Sequence, residues 1–154
     1  MQEVKCLNKK RFLIPVSLVI MAAMLILPIV AAATISSVSV SQNVTNPNNI
    51  IGGQNDTYAV FQAGAQGAQL VGAAQIAKNA LIELRAFINT GSAVTVQVYV
   101  GPSSTGPWDW VGTFSVNGGP NYYSAGYAPS AGSYIGIFTN GANTCNIDCI
   151  RTTP

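Results

Sequence analysis

The sequence contains no histidine, and this absence weighs against an enzymatic function. Histidine is the commonest general acid and base in enzymes. The four carboxylates that follow residue 33 lie far apart in the sequence, so they form no paired acid–base motif. Residues 101–106 are rich in glycine but precede a predicted strand, whereas a phosphate-binding loop precedes a helix. We therefore expect a protein that is not an enzyme and that holds no metal and no cofactor.

Charged residues are scarce once the first 33 residues are set aside. Residues 34–154 contain three Lys and Arg and four Asp and Glu, which gives a formal charge of about −1. Three scattered cations cannot form a basic patch, so nucleic acid is excluded as a partner. A free soluble protein usually has about a quarter of its surface residues charged. Two alternatives fit the low charge: a secreted protein kept soluble by neutral polar groups and glycans, or a subunit covered by copies of itself.

Cysteine is also rare, and Cys6 belongs to the N-terminal segment of residues 1–33. Cys145 and Cys149 lie four residues apart near the C-terminus. In an extended strand, such residues are separated by roughly 13 Å, whereas a disulfide requires Cα atoms within roughly 7 Å. Three alternatives stay open: two buried small hydrophobic residues, a disulfide across a local turn that interrupts the strand, or covalent links between subunits.

Residues 1–33 have the pattern of a secretory leader. Lys9, Lys10 and Arg11 precede an apolar run, and three alanines at residues 31–33 provide the small side chains that a signal peptidase accepts. A retained membrane anchor is the alternative, because residues 12–33 are long enough to span roughly 30 Å of hydrocarbon. Both alternatives place the rest of the chain outside the cell, at the cell surface or free of it, with membrane contact only through an uncleaved leader.

Residues 34–57 combine a short alternating segment with an Asn-rich linker. Val38 and Val40 alternate with Ser37, Ser39 and Ser41, which indicates a strand that follows Ile35. This strand can pair within its own chain, or it can act as a donor strand that enters the sheet of a neighbouring copy. Asn43 and Asn55 each begin an N-glycosylation sequon, which has meaning outside the cytoplasm.

Residues 58–154 predict an antiparallel β-sandwich. Four valines between residues 94 and 100 alternate with Thr, Gln and Tyr, and short segments of similar kind follow turns rich in Gly, Pro and Asn. Residues 81–88 also alternate, with Ile82, Leu84, Ala86 and Ile88 on the face expected to be buried. Glu83 and Arg85 lie on the other face and predict a solvated pair. Residues 66–77 fit either a helix or a strand near residues 69–73.

An aromatic cluster is the main candidate for binding. Trp108 and Trp110 are two residues apart on one predicted strand, so they share a face and Asp109 lies opposite. We expect the next strand to pair with it and to bring three tyrosines near. Rings flanked by polar side chains are typical of sugar sites, although a core or a subunit contact is the alternative. The candidate residues are Trp108, Asp109, Trp110, Tyr122, Tyr123 and Tyr127.

Residues 80–153, about half of the chain, resemble galactose-binding-like, or discoidin-like, β jelly-roll modules. The shared segments are VTVQVYVG, WDWVGTFSV, SYIGIFT and NIDCIRT, which begin at residues 94, 108, 133 and 146. The resemblance implies a jelly-roll fold and carbohydrate binding at loops on one end. Some such modules hold calcium near the N-terminal strands. Asn55 and Asp56 match part of that calcium loop, but no other ligand position matches.

The layout of the whole chain also resembles subunits of archaeal extracellular threads and bundling pili. A leader, a short strand, a linker with sequons and a nearly uncharged sandwich follow one another in both. This resemblance implies a homopolymer in which Ile35, Val38 and Val40 fill a groove of the next copy. We therefore expect the subunit of a cell-surface filament, with a secreted carbohydrate-binding module or a membrane-anchored surface or virion protein as the alternatives.

Overall fold

The computed structural model describes residues 34–53 and 57–154. The predicted leader, the predicted glycosylation site Asn55 and the partial calcium motif with Asp56 lie outside these residues. Within the described ranges the chain forms strands and a short 3-10 segment (Pro47–Gly53) that is kinked at Ile51 and Gly52. No helix in this part of the chain is long and apolar enough to cross a membrane.

The strands form two antiparallel sheets packed face to face, which confirms the predicted all-β sandwich. Sheet A contains, in spatial order, β1 (Ser37–Gln42), β4 (Ala68–Ile76), β9 (Gly132–Thr139), β6 (Val94–Gly101) and β7 (Asp109–Val116). Sheet B contains β2 (Val44–Thr45), β3 (Ala59–Phe61), β10 (Cys145–Thr153), β5 (Leu81–Phe87) and β8 (Asn121–Tyr127). The predicted hairpin of β6 and β7 is present, and the segment that fitted either a helix or a strand contains the strand β4.

The core lies between the sheets and follows the two-residue period of the central strands. The four valines of β6 are fully buried, and Ile82, Leu84 and Ala86 of β5 face them from sheet B, as the alternation predicts. Burying one such side chain stabilises the fold by about 1.5–3 kcal/mol, so these inward residues hold the sheets together. Their neighbours in sequence are consequently fixed on the outer faces.

The predicted pairing of β7 with β8 is wrong. β7 pairs with β6 at the edge of sheet A, and β8 pairs with β5 at the edge of sheet B. The two edges pack against each other without a ladder, and the Phe114 and Tyr123 rings stack at 5.4 Å. Gly112 permits this approach, because a Cβ at this position would lie 1.8 Å from the Ala125 carbonyl oxygen. The turn at residues 117–120 therefore carries the chain from one sheet to the other.

The N-terminal strand β1 pairs with β4 of its own chain, which is the first of the two alternatives above. Ile35, just before β1, is 1% exposed and belongs to the core of this chain. Gly72 of β4 makes room for it, since a Cβ there would lie 2.8 Å from Ile35 Cγ2. Val38 is half-buried and Val40 is 38% exposed. The donor-strand hypothesis therefore gains no support from the placement of these three residues.

Cys145 and Cys149 are free thiols, and both are buried in β10. Burial raises the pKa of Cys145 to about 12 and also raises the pKa of Cys149. A bulge lies between Ile147 and Cys149, but the strand continues through it. Of the three alternatives for these cysteines, the structure shows two buried thiols.

Replacing Ile35 by Ala should destabilise the folded chain by about 2–5 kcal/mol, because it opens a cavity in the core. Val40→Ala is the matched control from the same segment and should cost less than about 1 kcal/mol, because Val40 is partly exposed. Thermal unfolding at several protein concentrations measures both. A melting temperature that rises with concentration, or equal losses in the two variants, would place this segment in a neighbouring chain.

With Cys6 replaced by Ser, the native protein should resist alkylation by iodoacetamide, because both remaining thiols are buried and their raised pKa values keep them protonated. Two labels should appear after unfolding in urea, as counted by intact mass. Labelling of the native protein, or unfolded protein that takes up no label without a reductant, would contradict the assignment of buried free thiols.

Candidate functional site

The outer face of sheet A carries a cluster of outward rings. Because the valines of β6 point inward, Gln97 and Tyr99 point outward, and in β9 the buried Ile137 leaves Phe138 on the outer side. Trp108 lies beside them at the end of the loop that precedes β7, and Trp110 follows in β7 itself. We call Gln97, Tyr99, Trp108, Trp110 and Phe138 the aromatic surface.

Trp108 is held in place by three glycines. A Cβ atom added to Gly101 or to Gly106 would lie 2.9 Å from the Trp108 indole, and one added to Gly136 would lie 3.6 Å from it. The indole therefore rests against backbone that carries no side chains. The Ser103 hydroxyl donates a hydrogen bond of 2.5 Å to the Gly106 carbonyl and closes the loop below the ring. The GPSSTGP segment thus positions one aromatic side chain on the sheet.

A shallow cavity of about 130 Å³ opens between Gln97, Tyr99, Trp108 and Phe138. The Tyr99 and Phe138 rings meet edge to face at 5.3 Å, and the Tyr99 hydroxyl donates to the Gln97 side-chain oxygen at 3.2 Å. Pockets that enclose small ligands usually have about 300–1,000 Å³. This cavity is too small to enclose a substrate, so a ligand would lie on the rings rather than inside the protein.

Trp110 extends this surface toward the edge of sheet A. It is 59% exposed and pairs in register with Tyr99, so the two side chains share the outer face. Asp109 is exposed at the start of β7, where its carboxylate accepts a 2.5 Å hydrogen bond from the Ser130 hydroxyl. Asp109 therefore joins two loops at the border of the aromatic surface.

The three predicted tyrosines lie on β8 of sheet B, whereas Trp110 lies on β7 of sheet A and Trp108 just before it. Tyr123 stacks on Phe114 against the core, and Tyr122 lies on the outer face of sheet B under Arg151, with 3.7 Å between guanidinium and ring centre. Tyr127 is 66% exposed at the end of β8. Of the predicted rings, Trp108 and Trp110 therefore belong to the aromatic surface, and the three tyrosines belong to sheet B.

Sequence reasoning missed Gln97, Tyr99 and Phe138 as members of the site. A signal for them was present, because the alternation that buries the valines of β6 also places Gln97 and Tyr99 on the opposite face. Phe138 could have been found in the same way from the alternation in β9. An aromatic side chain on the outward face of a central strand is the feature to look for.

The outer face of sheet B holds most of the described charges, and these are paired. Arg151 Nε donates to Glu83 at 2.7 Å, and Arg85 forms an ion pair with the buried Asp148. The predicted pair of Glu83 with Arg85 is therefore replaced by two bonds to β10. Burial raises the pKa of Asp148, and the Arg85 charge opposes this shift. In the two described ranges, no three Cys, Asp or Glu side chains are grouped to hold a metal ion.

Glycosylation of Asn43 stays a prediction. Asn43 is exposed in the turn between β1 and β2, with a positive φ of 55°. Its side-chain nitrogen donates a 2.8 Å hydrogen bond to the Gly67 carbonyl. An attached glycan would leave one N–H on this nitrogen, which is enough for that bond.

Solved carbohydrate-binding modules have a similar fold. A pectin-binding module aligns with a TM-score of 0.61 at 16% identity, over 79% of this chain and 92% of that one. The C-terminal CBM6 of LamC, a marine laminarinase from Zobellia galactanivorans, aligns with a TM-score of 0.58 at 20% identity, over 79% of this chain and 98% of that one. The CBM32 of AlyQ, in complex with 4,5-unsaturated mannuronic acid, aligns with a TM-score of 0.57 at 16% identity, over 79% of this chain and 97% of that one.

No protein-family model matches the chain, and no curated protein matches it. The solved structures show the fold alone, a β jelly-roll sandwich, and they confirm the first resemblance at the level of the fold. The resemblance to extracellular threads has no support among these structures.

The raised pKa of Asp148 predicts a pH dependence of stability. The folded protein holds the Asp148 proton more tightly than the unfolded chain does. The protonated carboxyl therefore adds to the free energy of unfolding in full below its ordinary pKa of 3.8, and this stabilisation is lost as pH rises through the raised pKa of the folded protein. Asp148→Asn removes the ionisation and should remove this part of the slope. Urea unfolding from about pH 3 to about pH 7 measures it. Identical slopes in the two proteins would contradict the prediction.

Proposed function

We propose that this protein is a non-catalytic carbohydrate-binding module that acts outside the cell and binds glycans through its aromatic surface. The observation that carries the proposal is the cavity between Tyr99, Trp108 and Phe138, open to solvent on the outer face of sheet A. Trp110, the most exposed ring of this surface, lies next to it.

The chemistry of this surface suits a sugar. A pyranose has an apolar face of C–H groups that stacks on an aromatic ring, and hydroxyls around its rim that need hydrogen-bond partners. Tyr99, Trp108 and Trp110 provide rings, and the Gln97 amide beside them both donates and accepts. Structures of similar fold include a pectin-binding module and one in complex with a mannuronic acid derivative, which supports the same class of ligand here.

The alternatives for these rings are weaker. They are not core residues, because they lie on the outer side of a sheet whose inner side is the core. Exposed aromatic residues also mark protein interfaces, so a subunit contact is the main rival. The filament hypothesis depended on the N-terminal strand, and this strand pairs within its own chain. No observation therefore favours a filament over carbohydrate binding.

The absence of catalysis is part of the proposal. Tyr99 is the only titratable side chain of the aromatic surface, and it hydrogen-bonds Gln97. The carboxylates Glu83 and Asp148 lie on the outer face of the other sheet and are paired with arginines. Asp109, at the border of the aromatic surface, is a single carboxylate that accepts a hydrogen bond from Ser130. A surface without an acid–base pair can bind a glycan but lacks the two groups that cleave it.

Trp110→Ala should weaken glycan binding about 10- to 100-fold, because it removes an exposed stacking ring while sparing the core. Isothermal titration with the tightest-binding glycan from an array measures the affinity. Tyr58→Ala is the matched control, since Tyr58 is an exposed ring just before β3, at the side of sheet B opposite to β8.

The control variant should bind as the unaltered protein does. Equal losses in both variants would contradict the assignment of the site to sheet A. An array on which the unaltered protein binds no glycan, together with self-association that Trp110→Ala abolishes, would assign the rings to a subunit contact.

A further inference from the structure

A second small cavity adjoins the aromatic surface on sheet A. It has a volume of about 50 Å³, and Phe138 borders both cavities. Its other side chains are polar for the most part, with three glutamine amides at its rim. The lining residues are Gln42, Gln66, Gly67, Ala68, Gln69, Phe138 and Thr139.

The strand registers align these side chains into a continuous row across all five strands of sheet A. Gln42 lies opposite Gln69, Gln69 opposite Phe138, Phe138 opposite Gln97, and Gln97 opposite Thr113. Neighbouring strands are about 4.8 Å apart, so the row is roughly 19 Å long. We call it the amide row. Such a length exceeds a single sugar and matches a chain of several.

A second row runs beside the amide row and contains the exposed ring. Val40 lies opposite Val71, Val71 opposite Gly136, Gly136 opposite Tyr99, and Tyr99 opposite Trp110. The two rings of this row, Tyr99 and Trp110, lie at its β6 and β7 end, because Val71 is buried and Gly136 has no side chain. Stacking partners therefore lie at one end of the track, and the amides continue from there toward β1.

Neither row contains a charged side chain. Glu83, Arg85, Asp148 and Arg151 belong to sheet B, and the two other charged residues in the described ranges are Lys78, in the loop after β4, and Asp109, at the start of β7. Glycans with carboxylate groups need a cation opposite the carboxylate, and neither row has one. The track is therefore suited to uncharged sugars.

We infer that sheet A binds an extended, uncharged glycan chain that crosses its strands. One sugar stacks on the aromatic surface, and the following sugars hydrogen-bond to Gln69 and Gln42 along the amide row. This inference rests on the proposed function, and it adds the length, the charge and the direction of the ligand. It contrasts with the acidic sugar in the complex of similar fold.

Titration calorimetry of the full chain tests the inference with cello-, laminari- and manno-oligosaccharides from disaccharide to hexasaccharide. Oligogalacturonates of the same lengths are the charged probes. For at least one neutral series, the affinity should rise about tenfold or more from disaccharide to hexasaccharide, because added sugars gain hydrogen bonds along the row. The oligogalacturonates should bind at least tenfold more weakly.

Two variants locate the effect on the sheet. Gln69→Ala should weaken hexasaccharide binding about 2- to 10-fold and leave disaccharide binding unchanged, because the disaccharide reaches only the rings. Gln42→Ala, at an exposed edge position, should act in the same direction without risk to the core. Gln75→Ala, an exposed glutamine of β4 beyond both rows, is the matched control and should bind normally.

The outcomes separate the inference from the proposed function. If neither the neutral nor the charged probes bind and an array shows no other glycan, the proposed function itself fails. If a neutral series binds with equal affinity at every length and Gln69→Ala has no effect, the aromatic surface stands and the extended track is overturned. Tighter binding of the oligogalacturonates would overturn the assignment to uncharged glycans.

Discussion

The burial of one face of each central strand is the constraint on which the rest of this structure depends. The valines of β6 and the isoleucines of β9 must point into the core, since their burial supplies much of the stability of a sandwich with few charges. The residues between them therefore face outward, because successive side chains of a strand point to opposite faces of the sheet. Tyr99 and Phe138 are exposed to ligands because their neighbours are committed to the core.

The two outer faces of the sandwich differ in their chemistry. Sheet B carries the ion pairs of Glu83 and Arg85 with β10, and a face of paired charges leaves little capacity for a neutral ligand. Sheet A carries rings and amides, with glycines where a ring must approach the backbone. This separation explains how a chain with so little charge can have one face with paired charges and another with exposed rings and amides.

Local patterns in the sequence predicted the parts of the fold that depend on local physics. The alternation in β5 and β6, the buried set around Ile82 and the hairpin of β6 and β7 all follow from a two-residue period and turn residues. The sheet to which β8 belongs could not be predicted, because a turn such as NGGPN continues one sheet or crosses to the other equally well. The partners of Glu83 and Arg85 depend on the register with β10, which no local pattern shows. Pairing of β1 within its chain or with a neighbour uses the same alternation, so the sequence left both alternatives open.

The outer face of sheet A is the proposed glycan-binding site. Two-dimensional ¹H–¹⁵N NMR of the labelled protein, titrated with the neutral hexasaccharide that binds most tightly, tests this location. We expect the largest shift changes in Gln69, Gln97, Tyr99 and Phe138 and in the two indole N–H signals. Changes confined to sheet B around Arg85 and Tyr122, or to the loops at either end of the sandwich, would contradict it.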